Sequence, residues 1–198
     1  MWDAMLHEEV HFMPVAVALR WTVADFHRAA ATGVFAGCRP VLIRGLILEQ
    51  GIMNPPHAIA VELATEALRT AFGNGWRMRV RLPLVLGLDT DPMPDFAMLL
   101  GHPRDTATHP TTAALVMEVS DTTLTLDVTE KAELYATADI ADYWVLDVEG
   151  RRLLVFRDPA SIPDGGQAYR THHVFDPTES LAPLAAPHAT IRVADLLP

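Results

Sequence analysis

Ala114-Leu115-Val116-Met117-Glu118-Val119-Ser120 is an apolar, strand-prone run interrupted by one carboxylate. A second run of the same kind lies upstream, Met93-Pro94-Asp95-Phe96-Ala97-Met98-Leu99-Leu100, with Asp95 directly after a proline. Both read as strands of a core sheet. A carboxylate in such a run is costly to desolvate unless something pairs with it. Taken singly, each acid fits a strand end that reaches solvent or an arginine, because charged residues are almost never buried unpaired. Two of them on successive strands allow another arrangement, in which adjacent strand ends converge on one cation. Two hard oxygen donors with room for water suit Mg²⁺ or Mn²⁺ better than zinc.

Next along the chain, Asp127 and Lys131 are four residues apart on a predicted helix. Spacing alone favours an ordinary i,i+4 ion pair worth about 0.3–0.5 kcal/mol. The alternative carries the ammonium over the carboxylate pair, where it orients a water or stabilises charge developing on a phosphoryl group.

The flanking sequence fills in a domain around these strands. Thr22 and Asp25 cap a short helix running to about Ala31, and residues 40–53 form two strand-like pieces hinged at Gly45. Asn54-Pro55-Pro56 starts a helix near His57, carried by Ile59, Leu63, Ala67 and Ala71 and ended by Gly73-Asn74-Gly75. Arg77–Leu88 alternates in part, and Asp89–Pro94 is a turn. Downstream, Asp127 opens a helix to about Ala138. Tyr143–Val148 and Leu153–Phe156 flank a Glu149-Gly150 hairpin, and Tyr169–Phe175 and Ile191–Leu197 are the last apolar pieces. This order predicts a mixed α/β (α+β) domain around a curved mixed sheet. Residues 21–198 read as that single domain. Residues 1–20, with Trp2, Met5, Leu6 and Phe12, read as an N-terminal arm packing on its own domain or on a second subunit.

Composition narrows the function classes. The 198 residues are 50% hydrophobic and 20% charged, which fits one globular core and excludes a disordered chain. With 15 Lys+Arg against 25 Asp+Glu the net charge is −10, unlike a polybasic nucleic-acid binder. Net charge averages over all faces and leaves room for a local basic groove. Arg77, Arg79 and Arg81 share a strand face next to Trp76 and form either a phosphate-binding strip or a solvated face offset by acids. The single cysteine, Cys38, excludes an internal disulfide and a Cys-based zinc site. No apolar run approaches the ~20 residues of a membrane span, and residues 1–20 lack the pattern of a signal peptide. A cytoplasmic protein is expected. His172 and His173, adjacent on a strand, point to opposite faces and cannot share a metal.

Pro94-Asp95, Glu118-Val119-Ser120, Asp127-x-x-x-Lys131, Tyr135-Ala136 and Asp142-Tyr143-Trp144-Val145-Leu146-Asp147 occur in this order. In that assembly the chain, from about Thr22 to its C-terminus, resembles the Uma2 family, grouped with the restriction endonucleases of the PD-(D/E)XK superfamily. Phe26, His57 and the hairpin ending at Phe156-Arg157 also sit where the family pattern expects them. The resemblance implies a restriction-endonuclease-like core and a homodimer that hydrolyses DNA phosphodiesters with Mg²⁺ or Mn²⁺. It makes Asp95 and Glu118 the metal-binding acids with the Val119 carbonyl. The superfamily's usual lysine two residues after the glutamate is Ser120 here, so the lysine role passes to Lys131, oriented by Asp127.

The chain departs from the family in one segment. Acids commonly found just before the first long helix are replaced by Val41, Leu42, Ile43, Arg44, Gly45 and Leu46. Glu49 or Glu62 is a candidate substitute, though surface positions are the commoner fate of such residues. The loss of acids and the −10 charge leave open a decayed nuclease fold that serves as a binding or assembly protein. Hydrolysis of some other phosphoester is a third reading. If DNA is the substrate, the charge predicts weak nonspecific binding.

Overall fold

The computed structural model describes residues 17–163 and 165–198. Arm residues 1–16, including Trp2, Met5, Leu6 and Phe12, lie outside the described residues, and residues 17–22 lead into the first helix without regular secondary structure.

Thr22 caps α1 (Val23–Ala31) by accepting from the Asp25 backbone N–H, as its spacing predicts. β1 (Pro40–Ile43) and β2 (Leu46–Glu49) pair as a separate antiparallel hairpin. Its two-residue turn, Arg44-Gly45, has positive φ at both positions (48° and 75°), as a type I′ connection requires. α2 (Pro55–Phe72) starts two residues before His57. Asn54 caps it and prolines fill its first positions, where a missing N–H costs nothing.

The core is a six-stranded mixed sheet. In chain order its strands are β3 (Trp76–Val80), β4 (Phe96–Leu100), β5 (Leu115–Ser120), β6 (Asp142–Asp147), β7 (Arg152–Ser161) and β8 (Gln167–Phe175). They lie side by side in that order, all antiparallel except β5–β6, which is parallel. The parallel pair needs a crossover, supplied by α3 (Leu124–Val128) and α4 (Glu130–Thr137).

One face of the sheet packs Phe96, Met98, Met117, Val119 and Trp144 against Ala60, Ala64, Leu68 and Phe72 of α2 and the C-terminal Leu196 and Leu197. The other packs Ala97, Val116, Tyr143 and Val145 against Ala132, Leu134 and Tyr135 of α4 and against Leu84. β5 and β6 are buried along their whole length, as expected of strands covered on both sides. Asp142, fully buried at the start of β6, accepts from Trp144 Nε1, Arg157 and the Leu184 backbone N–H, so the C-terminal segment is tied to the sheet.

Two local expectations are corrected. The helix predicted from Asp127 starts earlier, at Leu124, and is two helices broken at Thr129, whose φ of −116° and ψ of −84° are not helical. Thr129 sits between a turn that ends on Val128 and a helix whose buried side faces the sheet, and the break redirects the chain between them. The strand-like segment after Arg77 ends at Val80 because Arg81 turns into the left-handed region, φ 51°.

Candidate active site

The register pairs Phe96 with Met117, so one step further Asp95 stands opposite Glu118. Side chains directly across an antiparallel pair project from the same face. Both acids therefore stand on the face covered by α4. They interlock as well: Val119 N–H donates to Asp95 Oδ2 at 2.9 Å, and Asp95 N–H lies 3.4 Å from Glu118 Oε2. Asp95 and Glu118 are 6% and 4% exposed.

The crossover helices complete the group. Lys131 Nζ lies 3.2 Å from Glu118 Oε2 and 2.8 Å from Asp127 Oδ1. Spacing alone favoured a plain helical ion pair, but the structure shows that pair and the contact to Glu118 together. Asp127 is buried and also accepts from Thr123 Oγ1 at 2.6 Å. The Tyr135 hydroxyl donates to Glu118 Oε1 at 2.7 Å. Tyr143, beside it, donates to the Asp127 carbonyl.

Crowding sets the charge states. Burial pushes the Glu118 carboxyl up, Lys131 opposes this, Asp95 and Asp127 add to it, and the outcome is a pKa of about 7. Burial alone would lower the Lys131 ammonium, but Glu118, Asp127 and Asp95 raise it well above its usual value. Lys131 is thus a fixed positive charge and hydrogen-bond donor, not a base. Burial also raises the Tyr135 hydroxyl, with Glu118 adding to the effect, so it stays protonated.

Two residues join the site that spacing did not assign to it. The His57 backbone N–H donates to the Asn54 cap, yet the His57 ring Nε2 lies 3.3 Å from Asp95 Oδ1. Arg81 NH1 lies 3.6 Å from Asp95 Oδ1, too long for a hydrogen bond, and that nitrogen is buried without an acceptor. The arginine strip is accordingly divided. Arg77 reaches the His102 carbonyl, Arg79 reaches the Pro83 carbonyl, and only Arg81 faces the carboxylates. The signals were present in the sequence, a histidine at a helix start and an arginine in an alternating run, but both have common surface roles.

The group forms the floor of a cleft of about 330 Å³. One wall is the β1–β2 hairpin with residues 50–54, and the other is α3 and the start of α4. Arg44 pairs with Glu133 at 2.8 Å, Glu49 stands on the rim, and Glu62 is exposed outside the cleft. His172 and His173 lie on β8 away from it; His172 stacks on Phe156.

The donors fit a hard divalent cation in chemistry: buried carboxylate oxygens, with Val119 lining the same floor. Three buried carboxylates, Asp95, Glu118 and Asp127, face one lysine and one arginine. Among the described residues no set of three or more His, Cys, Asp or Glu side chains is grouped to hold a metal.

A family model described as "Uma2: Putative restriction endonuclease" matches residues 23–194. A crystal structure from Anabaena variabilis ATCC 29413, described as "a putative nuclease belonging to DUF820", is similar in fold, with a TM-score of 0.65 at 16% identity. The match covers 89% of this chain and 97% of that one. No curated protein matches the chain. No helix among the described residues is long and apolar enough to cross a membrane.

Proposed function

The chain belongs to the Uma2 family, and we propose on that premise that it is a divalent-metal-dependent endodeoxyribonuclease centred on Asp95, Glu118 and Lys131. The observation that carries this is the cross-strand pairing of two buried acids on one face, with a fixed ammonium on the second.

Asp95 and Glu118, with the Val119 carbonyl, are the residues that would hold Mg²⁺ or Mn²⁺. Such an ion, when bound, lowers the pKa of a water and neutralises charge on phosphate oxygens. Tyr135 fixes one oxygen of Glu118 and leaves the other to face Lys131. Asp127 and Thr123 hold the lysine in place, so its charge is preorganised toward the reacting phosphate. Arg81 carries a buried N–H with no acceptor beside Asp95, the complement of a phosphate oxygen. Residues 21–198 are the functional domain, and we take it to act on DNA as a homodimer in the cytoplasm.

The test is plasmid cleavage with Mg²⁺ or Mn²⁺, wild type against Asp95→Ala and Glu118→Ala. Each substitution is expected to lower the rate by at least about a hundredfold, the scale of losing a charge-stabilising group. Equal rates in all three would refute the assignment.

One observation favours a second reading, a decayed nuclease that binds or assembles. Each carboxylate of the site already has a cationic neighbour, and Arg44, at a position where the family carries acids, is paired to Glu133. Calorimetry separates the two. Mg²⁺ or Mn²⁺ binding that Asp95→Ala removes supports the enzyme, and no binding supports decay.

A further inference from the structure

The catalytic cleft has an unusual lining for a protein that grips duplex DNA. Its walls are apolar and partly exposed to water. Leu48, Ile52 and Met53 come from the hairpin side at 48%, 99% and 37% exposure, and Leu126 of α3 comes from the other at 40%. Its charge is acidic: Glu49, Asp121 and Glu130 line it besides Asp95 and Glu118. The cationic lining residues are Arg44, Arg81 and Lys131, and each already faces a carboxylate. Among the described residues the cleft therefore offers no free lysine or arginine to a row of phosphates.

A duplex is held mainly through many phosphate contacts. This cleft offers instead a volume of about 330 Å³ between aliphatic side chains, enough for one nucleotide beside the acids. Enzymes that act on an unpaired or extruded nucleotide place its base between aromatic or apolar side chains. Taking the catalytic assignment above as given, we propose that the substrate is single-stranded DNA. One unpaired base lodges between the Leu48–Met53 wall and Leu126, and its phosphate meets Arg81 and the cation that Asp95 and Glu118 would hold. The apolar walls then supply affinity that the acidic surface cannot, and a paired base, held in its stack, does not reach them.

The test is fluorescence anisotropy with one labelled oligonucleotide, single-stranded or annealed to its complement, in Ca²⁺ to limit turnover. Wild type is compared with the Ile52→Ala/Leu126→Ala double variant. Both side chains are solvent-exposed, and an unchanged melting temperature confirms the fold. The single strand is expected to bind at least about tenfold more tightly than the duplex, and the double variant to lose about tenfold, the scale of the apolar area that two aliphatic side chains bury against one base. Equal or tighter duplex binding, or a double variant that binds as wild type does, overturns the proposal. Its failure is separable from that of the hydrolytic assignment. A duplex bound more tightly and cut leaves the nuclease standing without this specificity. Single-strand binding that depends on the walls, with no cleavage in Mg²⁺ or Mn²⁺, leaves the specificity standing without the nuclease.

Discussion

Glu118 is held on several sides at once. It is 4% exposed, accepts from Tyr135, contacts Lys131 and shares its face with Asp95 and Asp127. Its carboxyl pKa is pushed up from 4.5 to about 7, chiefly by burial. The linkage sign follows directly. Between those two values the folded protein binds a proton that the unfolded chain has released, so folding stability falls as pH rises through that window. The contribution is favourable to folding only while Glu118 is protonated. In denaturant melts without divalent ions, the wild type is expected to lose stability from about pH 4.5 to about 7. Glu118→Gln, which keeps the shape and removes the titration, is expected to flatten that part of the profile. An identical slope in both proteins would mean that other groups set it. Adding Mg²⁺ at neutral pH is expected to restore part of the wild-type loss and none in the variant, because ligand binding to the folded state alone stabilises it.

Elements decide what the acids can reach. β4 and β5 were legible in sequence because apolar runs bounded by turns are a strong signal, and the pairing of Asp95 with Glu118 follows once they are neighbours. The Thr22 cap was legible from its short-range spacing, and Asn54-Pro55-Pro56 as the turn that starts α2, although its cap was not read. The break at Thr129 was not legible, because the lowered helix propensity of Val128-Thr129 is too weak a signal by itself to place a break. Arg81, in a possible phosphate strip, and His57, at a helix start near the site, were legible as alternatives to surface roles, and the choice depended on the turn after β3 and on how α2 meets the sheet edge. The β1–β2 hairpin is the element most open to test. Gly45 has φ 75°, and a Cβ there would come within 2.8 Å of the Arg20 Cβ. Gly45→Ala is therefore expected to destabilise the hairpin by about 1–2 kcal/mol. Because that hairpin is a wall of the cleft, KM should rise more than kcat falls. Steady-state kinetics beside a thermal melt would show it, and a drop in kcat alone would place the hairpin outside substrate binding.

At the scale of the whole molecule, the charge of −10 has a definite consequence. Binding that relies on neutralised phosphates releases counterions, and for a single strand the logarithm of the binding constant falls with log salt at about −0.7 per phosphate contacted. In the cleft Arg81 and Lys131 are the cations placed to meet a phosphate, and both are shared with carboxylates. One or two phosphate contacts give a slope no steeper than about −1.5, whereas a basic groove with six or more would exceed about −4. Anisotropy titrations across a salt series are expected to give the shallow slope, with binding weak even at low salt because the acidic surface repels the rest of the strand. A steep slope would mean that a basic surface remote from Asp95 and Glu118 carries the nucleic acid. That outcome would move the binding face to Arg77 and Arg79, the part of the strip that the cleft does not use, and their substitution would then reduce the slope. The salt slope therefore tells whether this acidic protein meets nucleic acid through its bases or through its backbone.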